Sequence, residues 1–351
     1  MVIYGQKRSG KTAVLDYLKI SLEDTKQLFC IKFSVGDIFE TISTKTFFFK
    51  ILSLISEELE FLEMAGSVVP KFRCPDFKEF DAILNPSDEF RKQIRLFKKT
   101  CQPLEQWRDK KLVVMIDEFT YLYTAIKEGR ISDTFMKQWK AITQNENATF
   151  SAVLVGQDIF PAFKEDFPNE FGATQDERLT YLSGYYAEKL IEEPTWNNIT
   201  NSSRLLDNAL AKILEYTSFN PYYIVQFCDR LITEMNKQRI PAATFADIKD
   251  VADSFINGGQ ALTDDKFDNL LNAGEKHDIQ RIPKEHSKAI LRQIAINAKT
   301  IGFCLREQIS IGKPEYEDEI LKDLVKREVL EQKGDSYKIQ VKLFQEWLLK
   351  H

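Results

Sequence analysis

At 351 residues the chain exceeds the ~250 to 300 residues at which one hydrophobic core stops growing, so two or three packed subdomains are expected. Its 43% hydrophobic and 29% charged residues, with 26 phenylalanines, exclude a disordered chain and call for a large core. A net charge of −5, with Lys and Arg interspersed among acids, excludes the strongly basic footprint of a general nucleic-acid binder.

The five cysteines, Cys30, Cys74, Cys101, Cys228 and Cys304, lie far apart, lack C-x-x-C spacing and are odd in number. That pattern suits reduced thiols in a cytosolic protein. No stretch approaches the ~18 uncharged apolar residues of a membrane span, the best candidate, residues 47–55, being interrupted by Lys50. Residues 5–12 are polar where the apolar part of a signal peptide would lie. A cytoplasmic protein with no membrane partner is expected.

The first element in chain order is a short apolar strand, Val2, Ile3 and Tyr4. It runs into Gly5, Gln6, Lys7, Arg8, Ser9, Gly10, Lys11 and Thr12, which match G-x-x-x-x-G-K-[ST]. Glycines in such a loop let successive backbone N–H groups turn inward around phosphates. Lys11 then reaches the β and γ phosphates, and Thr12 offers its hydroxyl to Mg²⁺. An amphipathic helix over 12–18, with Val14, Leu15 and Leu18 on one side, aims its positive dipole end at the anion. The plain alternative is a glycine turn, and the strand before and helix after the motif argue against it. The expected cofactors are ATP or ADP with Mg²⁺. Because the strand opens at the second residue, the chain is expected to be a piece of a longer protein.

Residues 28–33 supply a second β-rich run, and Thr44–Met64 is the clearest amphipathic helix. Leu112, Val113, Val114, Met115 and Ile116 form a continuous apolar run ending in Asp117 and Glu118, the pattern of a buried parallel strand. Sites in such sheets lie at the carboxyl ends of the strands. Asp117, on a strand adjacent to that of the phosphate loop, is expected to hold Mg²⁺ through water. Glu118 is expected to polarise the water attacking the γ-phosphate. Taken alone, the pair reads equally well as a strand meeting a polar turn. A further run, 152–155, leads into Gly156, Gln157 and Asp158. Gln157 is the first candidate to sense the γ-phosphate and Asp158 the second, against a turn with local hydrogen bonds. At least four strands alternating with helices imply an α/β sheet with crossover helices.

Three segments then carry a family resemblance: Phe167, Pro168, Asn169, Glu170, Phe171 and Gly172; Arg178 through 182; and Lys189, Leu190, Ile191, Glu192, Glu193 and Pro194. With the phosphate loop they resemble STAND-class ATPases, the AAA+-related switch NTPases of bacterial signalling and defence. Asn220, Pro221, Tyr222, Tyr223 and Ile224 resemble the lid motif G-x-P of that class, which implies that Pro221 packs on the nucleotide base. Phe219 stands where a glycine is common. Without the resemblance, Asn220 and Pro221 read as a helix start with proline in the first turn. Signalling members often carry an arginine near the sensor strand, where this chain has Gly156, Gln157 and Asp158. Arg178 is the nearest candidate to reach a phosphate and is read as a solvated surface residue.

The end of the chain reads as a winged helix, with helices over 288–298 and 316–327, then strands at 329–331 and 337–339 flanking Gly334 and Asp335. Winged helices often bind DNA through a helix in the major groove. Here that helix region carries Glu315, Glu317, Asp318, Glu319, Asp323 and Glu328 against Lys322, Lys326 and Arg327, a face that phosphates repel. DNA is therefore not expected as a partner. The resemblance implies instead that the winged helix folds back to hold an ADP-bound off state. The ending Val341, Lys342, Leu343, Phe344, Gln345, Glu346, Trp347 and Leu348 resembles the same family. Residues 257–285, polar and containing Gly258 and Gly259, are expected to form a linker. His277 and His286 have no metal-ligand companion at useful spacing.

The expected architecture is α/β: a P-loop AAA+-like parallel sheet flanked by helices over 1–183, a helical lid over 184–256, the linker over 257–285 and a winged-helix domain over 286–351. The expected function is an ATP-binding, slowly hydrolysing conformational switch that forms a nucleotide-dependent homo-oligomer within a larger signalling or defence protein. The alternative is an initiator-like AAA+ ATPase binding DNA through its winged helix. A non-hydrolysing scaffold is the third reading, and intact Lys11, Asp117 and Glu118 argue against it.

Overall fold

The computed structural model describes residues 1–144, 150–257, 261–271 and 283–351. They form two compact units, Met1–Gly5 with Lys11–Leu179, and Gln6–Gly10 with Thr180–His351. No helix among the described residues is long and apolar enough to cross a membrane.

The first unit is built on five parallel strands: β1 (Val2–Gly5), β2 (Leu28–Ser34), β3 (Lys111–Asp117), β4 (Ser151–Gln157) and β5 (Asp176–Leu179). Their order across the sheet is β2-β3-β4-β1-β5. This corrects one expectation: β3 is not adjacent to β1, because β4 pairs with both, Leu154 facing Ile116 on one side and Val2 on the other. It also adds β5, an edge strand whose mixed, half-exposed residues give no apolar run.

Side chains alternate across a pleated strand, and the sheet is buried on both faces. Phe29, Ile31, Phe33, Leu112, Val114, Ile116 and Leu154 join one core with the aromatic helices. Ile3, Cys30, Val113, Met115, Val153 and Val155 pack on the other side with Leu15 of helix α1 (Lys11–Glu23). Within α1 only Leu15 is fully buried and Val14 is exposed, so the apolar side of this helix is narrower than its sequence suggests. Helix α2 (Thr44–Met64) starts where expected. Ser43 Oγ accepts the Thr46 amide at 3.1 Å and Thr46 Oγ1 accepts the Ser43 amide at 2.7 Å, a reciprocal cap. Phe47, Phe48, Ile51, Leu52, Ile55 and Leu59, spaced for one helix face, are buried there.

In the second unit the helices Gly184–Thr195, Ala209–Thr217, Pro221–Gln238 and Phe245–Ile256 share one continuous core with Lys284–Ile301 and Lys342–Leu348. Lid and terminal part therefore form one compact body here. Within the expected linker, Asp264–Phe267 and Asp268–Leu271 are helical and bury Phe267, Leu270 and Leu271 in that same core. Residues 258–260 and 272–282, with Gly258, Gly259 and His277, lie outside the described residues. The terminal part runs helix Lys284–Ile301, helix Pro314–Lys326, then strands Leu330–Lys333 and Ser336–Ile339 paired antiparallel. Gly334 turns the hairpin at φ 57°, a left-handed conformation that two-residue hairpin loops favour.

The charge argument drawn from this region needs correction. Glu317, Asp323 and Arg327 are 3%, 6% and 6% exposed, so they present little to a phosphate. Glu317 accepts from the Ile311 amide at 2.7 Å, Ser310 Oγ at 3.1 Å and Arg306 at 3.3 Å. Arg327 Nε donates to Asp323 at 2.8 Å. Buried charges persist only when paired in this way. Lys322, Lys326 and Asp318 remain exposed.

Candidate functional site

β1 ends at Gly5, and the chain then loops through Gln6–Gly10 before α1 begins at Lys11. Arg8 and Gly10 take φ of 69° and 87°. At Gly10 the left-handed backbone itself asks for glycine, since an added Cβ would meet nothing within 4 Å. Lys11 Nζ donates to the Gly5 carbonyl at 3.1 Å, so its ammonium lies over the loop that it terminates. Ser9 Oγ is shielded from solvent and has no hydrogen-bond partner among the described residues. Lys7 and Arg8 are exposed.

Strand parity explains what faces this loop. Asp117 has the parity of Val113 and Met115, which pack on the α1 side of the sheet. Its carboxylate accordingly meets the first turn of α1, and Thr12 Oγ1 donates to Asp117 Oδ2 at 2.8 Å. The other oxygen, Oδ1, accepts the Glu118 amide at 2.8 Å, and Asp117 is buried. A hydroxyl and a carboxylate are hard oxygen donors of the kind Mg²⁺ takes when phosphate supplies further ligands. The donor set thus fits the metal. Among the described residues no group of three or more His, Cys, Asp or Glu could hold a metal ion by itself.

Glu118 sits at φ 53°, uncommon for a side chain of this size. Its Oε2 accepts the hydroxyl of Ser34, the last residue of β2 and the register partner of Asp117. Ser34 Oγ also accepts the Gly36 amide at 3.0 Å. A Cβ on Gly36 would come within 2.3 Å of Glu118 Oε2, so this turn leaves just enough room for the carboxylate. Sequence reasoning missed Ser34 and Gly36. The available signal was a polar residue and a glycine immediately after an apolar strand.

Gln157 is half-buried at the end of β4, and its amide donates to Thr120 Oγ1 at 3.1 Å. Phe119 N donates to the Val155 carbonyl at 2.7 Å. The turn after Asp117 is thereby tied to the end of β4. Asp158 is paired with Arg178 of β5, Nε at 3.1 Å and Nη2 at 3.3 Å, a two-point contact. Arg178 was expected to be a solvated surface residue. Instead it is committed to the second sensor candidate, because the unforeseen β5 lies beside β1.

Pro221 occupies the first turn of its helix, and Asn220 Oδ1 caps that turn by accepting the amides of Tyr222 and Tyr223 at 3.1 and 3.3 Å. Phe219, where a glycine was noted as common, adopts φ 64°. Glycine takes that conformation without the steric penalty of a side chain. The Arg8 guanidinium belongs to this unit: it lies 4.6 Å from the Tyr222 ring centroid and donates to the Lys266 carbonyl at 2.7 Å.

No family model and no curated protein matches the chain. Solved structures do. The Walker-type ATPase of Pyrococcus abyssi superposes with a TM-score of 0.59 at 14% identity, covering 99% of this chain and 90% of that one. The Aeropyrum pernix ORC2 protein, solved as ADPNP–ADP complexes, gives 0.58 at 12% identity, with 99% and 85% covered. At such identities the likeness establishes architecture alone, an α/β fold with a parallel five-stranded sheet flanked by helices and a largely helical C-terminal region.

Proposed function

We propose that this chain binds Mg-ATP, hydrolyses it slowly and uses the difference between ATP and ADP to change conformation. The observation that carries this reading is the Thr12–Asp117 hydrogen bond at 2.8 Å beside a G-x-x-x-x-G-K-T loop. Main-chain amides of residues 5–12 would surround the phosphates. Lys11 would neutralise the β and γ phosphates, while Thr12 and Asp117 would hold Mg²⁺. The metal, when bound, screens the charge that builds on the phosphates. Glu118 would orient and deprotonate the attacking water from its place beside Asp117. Gln157 at the end of β4 would sense the γ-phosphate, and Pro221 would pack on the base.

The STAND-type switch remains our reading of the biological role, within a larger cytoplasmic protein of signalling or defence whose assembly follows nucleotide state. The cysteines are not in disulfides, which supports a reducing compartment. A second reading, an initiator-like ATPase that engages DNA through its terminal domain, gains support from the likeness to the ORC2 protein. The burial of Glu317, Asp323 and Arg327 takes two negative charges and one positive from that face, a net reduction of one in the charge that argued against it.

Nucleotide binding and single-turnover hydrolysis, measured on the wild-type chain and on Lys11→Ala and Glu118→Gln, test the chemistry. We expect Lys11→Ala to lose binding and Glu118→Gln to bind without turnover. Wild-type protein that binds no nucleotide would sink the proposal. Light scattering with ATP and with ADP, and duplex binding across a salt series, separate the two roles. A mass that changes with nucleotide favours the switch, and salt-dependent binding lost in Lys322→Glu/Lys326→Glu favours the initiator.

A further inference from the structure

A series of polar contacts leads within the second unit from the phosphate loop to the end of the helix Pro314–Lys326. Arg8, stacked on Tyr222, donates to the Lys266 carbonyl. Tyr223, fully buried, sends its hydroxyl to the same carbonyl at 3.4 Å and to Asn269 Oδ1 at 3.1 Å. Arg327 donates to the main-chain carbonyls of Asn269 and Leu270 at 3.2 and 3.3 Å, while its Nε holds Asp323. Residues 264–271 are thus gripped by Arg8 on one side and by the end of the helix Pro314–Lys326 on the other.

The two grips differ in strength. Arg327 is buried and fixed by a carboxylate. Arg8 is exposed and bonds one neutral carbonyl and one ring face. A phosphate oxygen is the better acceptor for a guanidinium, because it carries the opposite charge and a phosphate can take the planar fork at two points, where the carbonyl offers one neutral oxygen. Asp264, Asp265 and Asp268 line, with Lys7, Arg8 and Lys284, a cavity of about 520 Å³. Each of these acids keeps a lysine partner of its own, Lys284 and Lys288 for Asp264, Lys266 for Asp265 and Lys284 for Asp268, so Arg8 can leave the Lys266 carbonyl without stranding a carboxylate.

We propose that Arg8 partitions between two acceptors, the Lys266 carbonyl and a phosphate of bound nucleotide, and so works as a latch whose release loosens residues 264–271 from the phosphate loop. A ligand shifts an equilibrium only through contacts it makes in one state and not the other, and the exchange of partners at Arg8 supplies such a contact. The latch rests on the nucleotide reading above and adds its regulation.

Hydrogen–deuterium exchange on the full chain, with Mg-ADP and Mg-ATPγS as probes, tests it. In the wild type, saturating nucleotide should slow exchange in 5–12 and speed it at least threefold in 264–271. Tyr222→Leu, which removes the ring under Arg8, should exchange quickly in 264–271 without nucleotide and gain little on adding it. Arg8→Gln keeps a donor for the carbonyl but loses the charge, and should keep 264–271 slow with nucleotide present. Protection of 5–12 with no change in 264–271 overturns the latch while sparing the nucleotide reading. So does wild-type behaviour of both variants. Absence of protection in 5–12 overturns both.

Discussion

Thr12 Oγ1 donates to Asp117 Oδ2 at 2.8 Å although 105 residues separate them, and the strand carrying Asp117 is not a neighbour of the strand leading to Thr12. If this pair holds Mg²⁺, Asp117→Asn should lower the Mg²⁺ dependence of nucleotide affinity by about ten- to a hundredfold. Titration of a fluorescent ADP with and without Mg²⁺ reads this directly. An unchanged Mg²⁺ dependence would remove Asp117 from the metal site.

Gly36 and Ser34 set where the Glu118 carboxylate lies. Gly36→Ala places a methyl within 2.3 Å of Oε2 and should cut turnover by about tenfold or more, since general bases contribute ~10²–10⁴ when positioned. Ser34→Ala releases the carboxylate without a clash and should change turnover less than Gly36→Ala does. Single-turnover rates that fall equally in both variants would show that the hydrogen bond, not the room beside it, matters.

At Gly156 an added Cβ would lie 2.5 Å from Thr120 Cγ2, so Gly156→Ala should cost about 1–3 kcal/mol of stability. Thr120→Ser removes that methyl and keeps the Oγ1 that accepts the Gln157 amide. The double variant should therefore recover most of the loss in urea unfolding. Additive losses would place the strain elsewhere.

The Asp323–Arg327 pair is buried. Asp323→Ala strands a guanidinium away from water, a change that typically costs about 3–5 kcal/mol. Lys322→Glu, one residue away but exposed, should stay within about 0.5 kcal/mol. Chemical denaturation of the two variants gives the comparison. Any DNA test that reverses Arg327 would confound binding with unfolding, so the surface lysines are the ones to reverse.

Thr244 and Asp247 cap the helix Phe245–Ile256 reciprocally. The Thr244 side-chain hydrogen bond, with that of its amide, holds the Asp247 carboxyl below its ordinary value of 3.8. A depressed carboxyl contributes stability above its unfolded pKa and loses it as pH falls through the folded one. Asp247→Asn should consequently cost about 1 kcal/mol at neutral pH, with the gap closing below about pH 4. A penalty constant from pH 7 to pH 3 would contradict the assignment.

Local features were legible in the residues themselves. The loop Gly5 to Thr12, the apolar runs of β2, β3 and β4, the amphipathic period of α2 and the Gly334 turn depend on chain geometry and side chains within a few residues. Each element declares itself through its own period or its own hydrogen bonds. The order of strands belongs to another class of information. Whether β4 pairs between β3 and β1, and whether the weakly apolar β5 joins the edge, is decided by hydrogen bonds and burial between segments distant in sequence. The same holds for charge: Glu317, Asp323, Arg327 and Arg178 look in sequence like any solvated ions, and only their neighbours in space make them buried or paired. The chain's chemistry near the loop was written locally, while the packing that decides which charges face water had to come from the folded molecule.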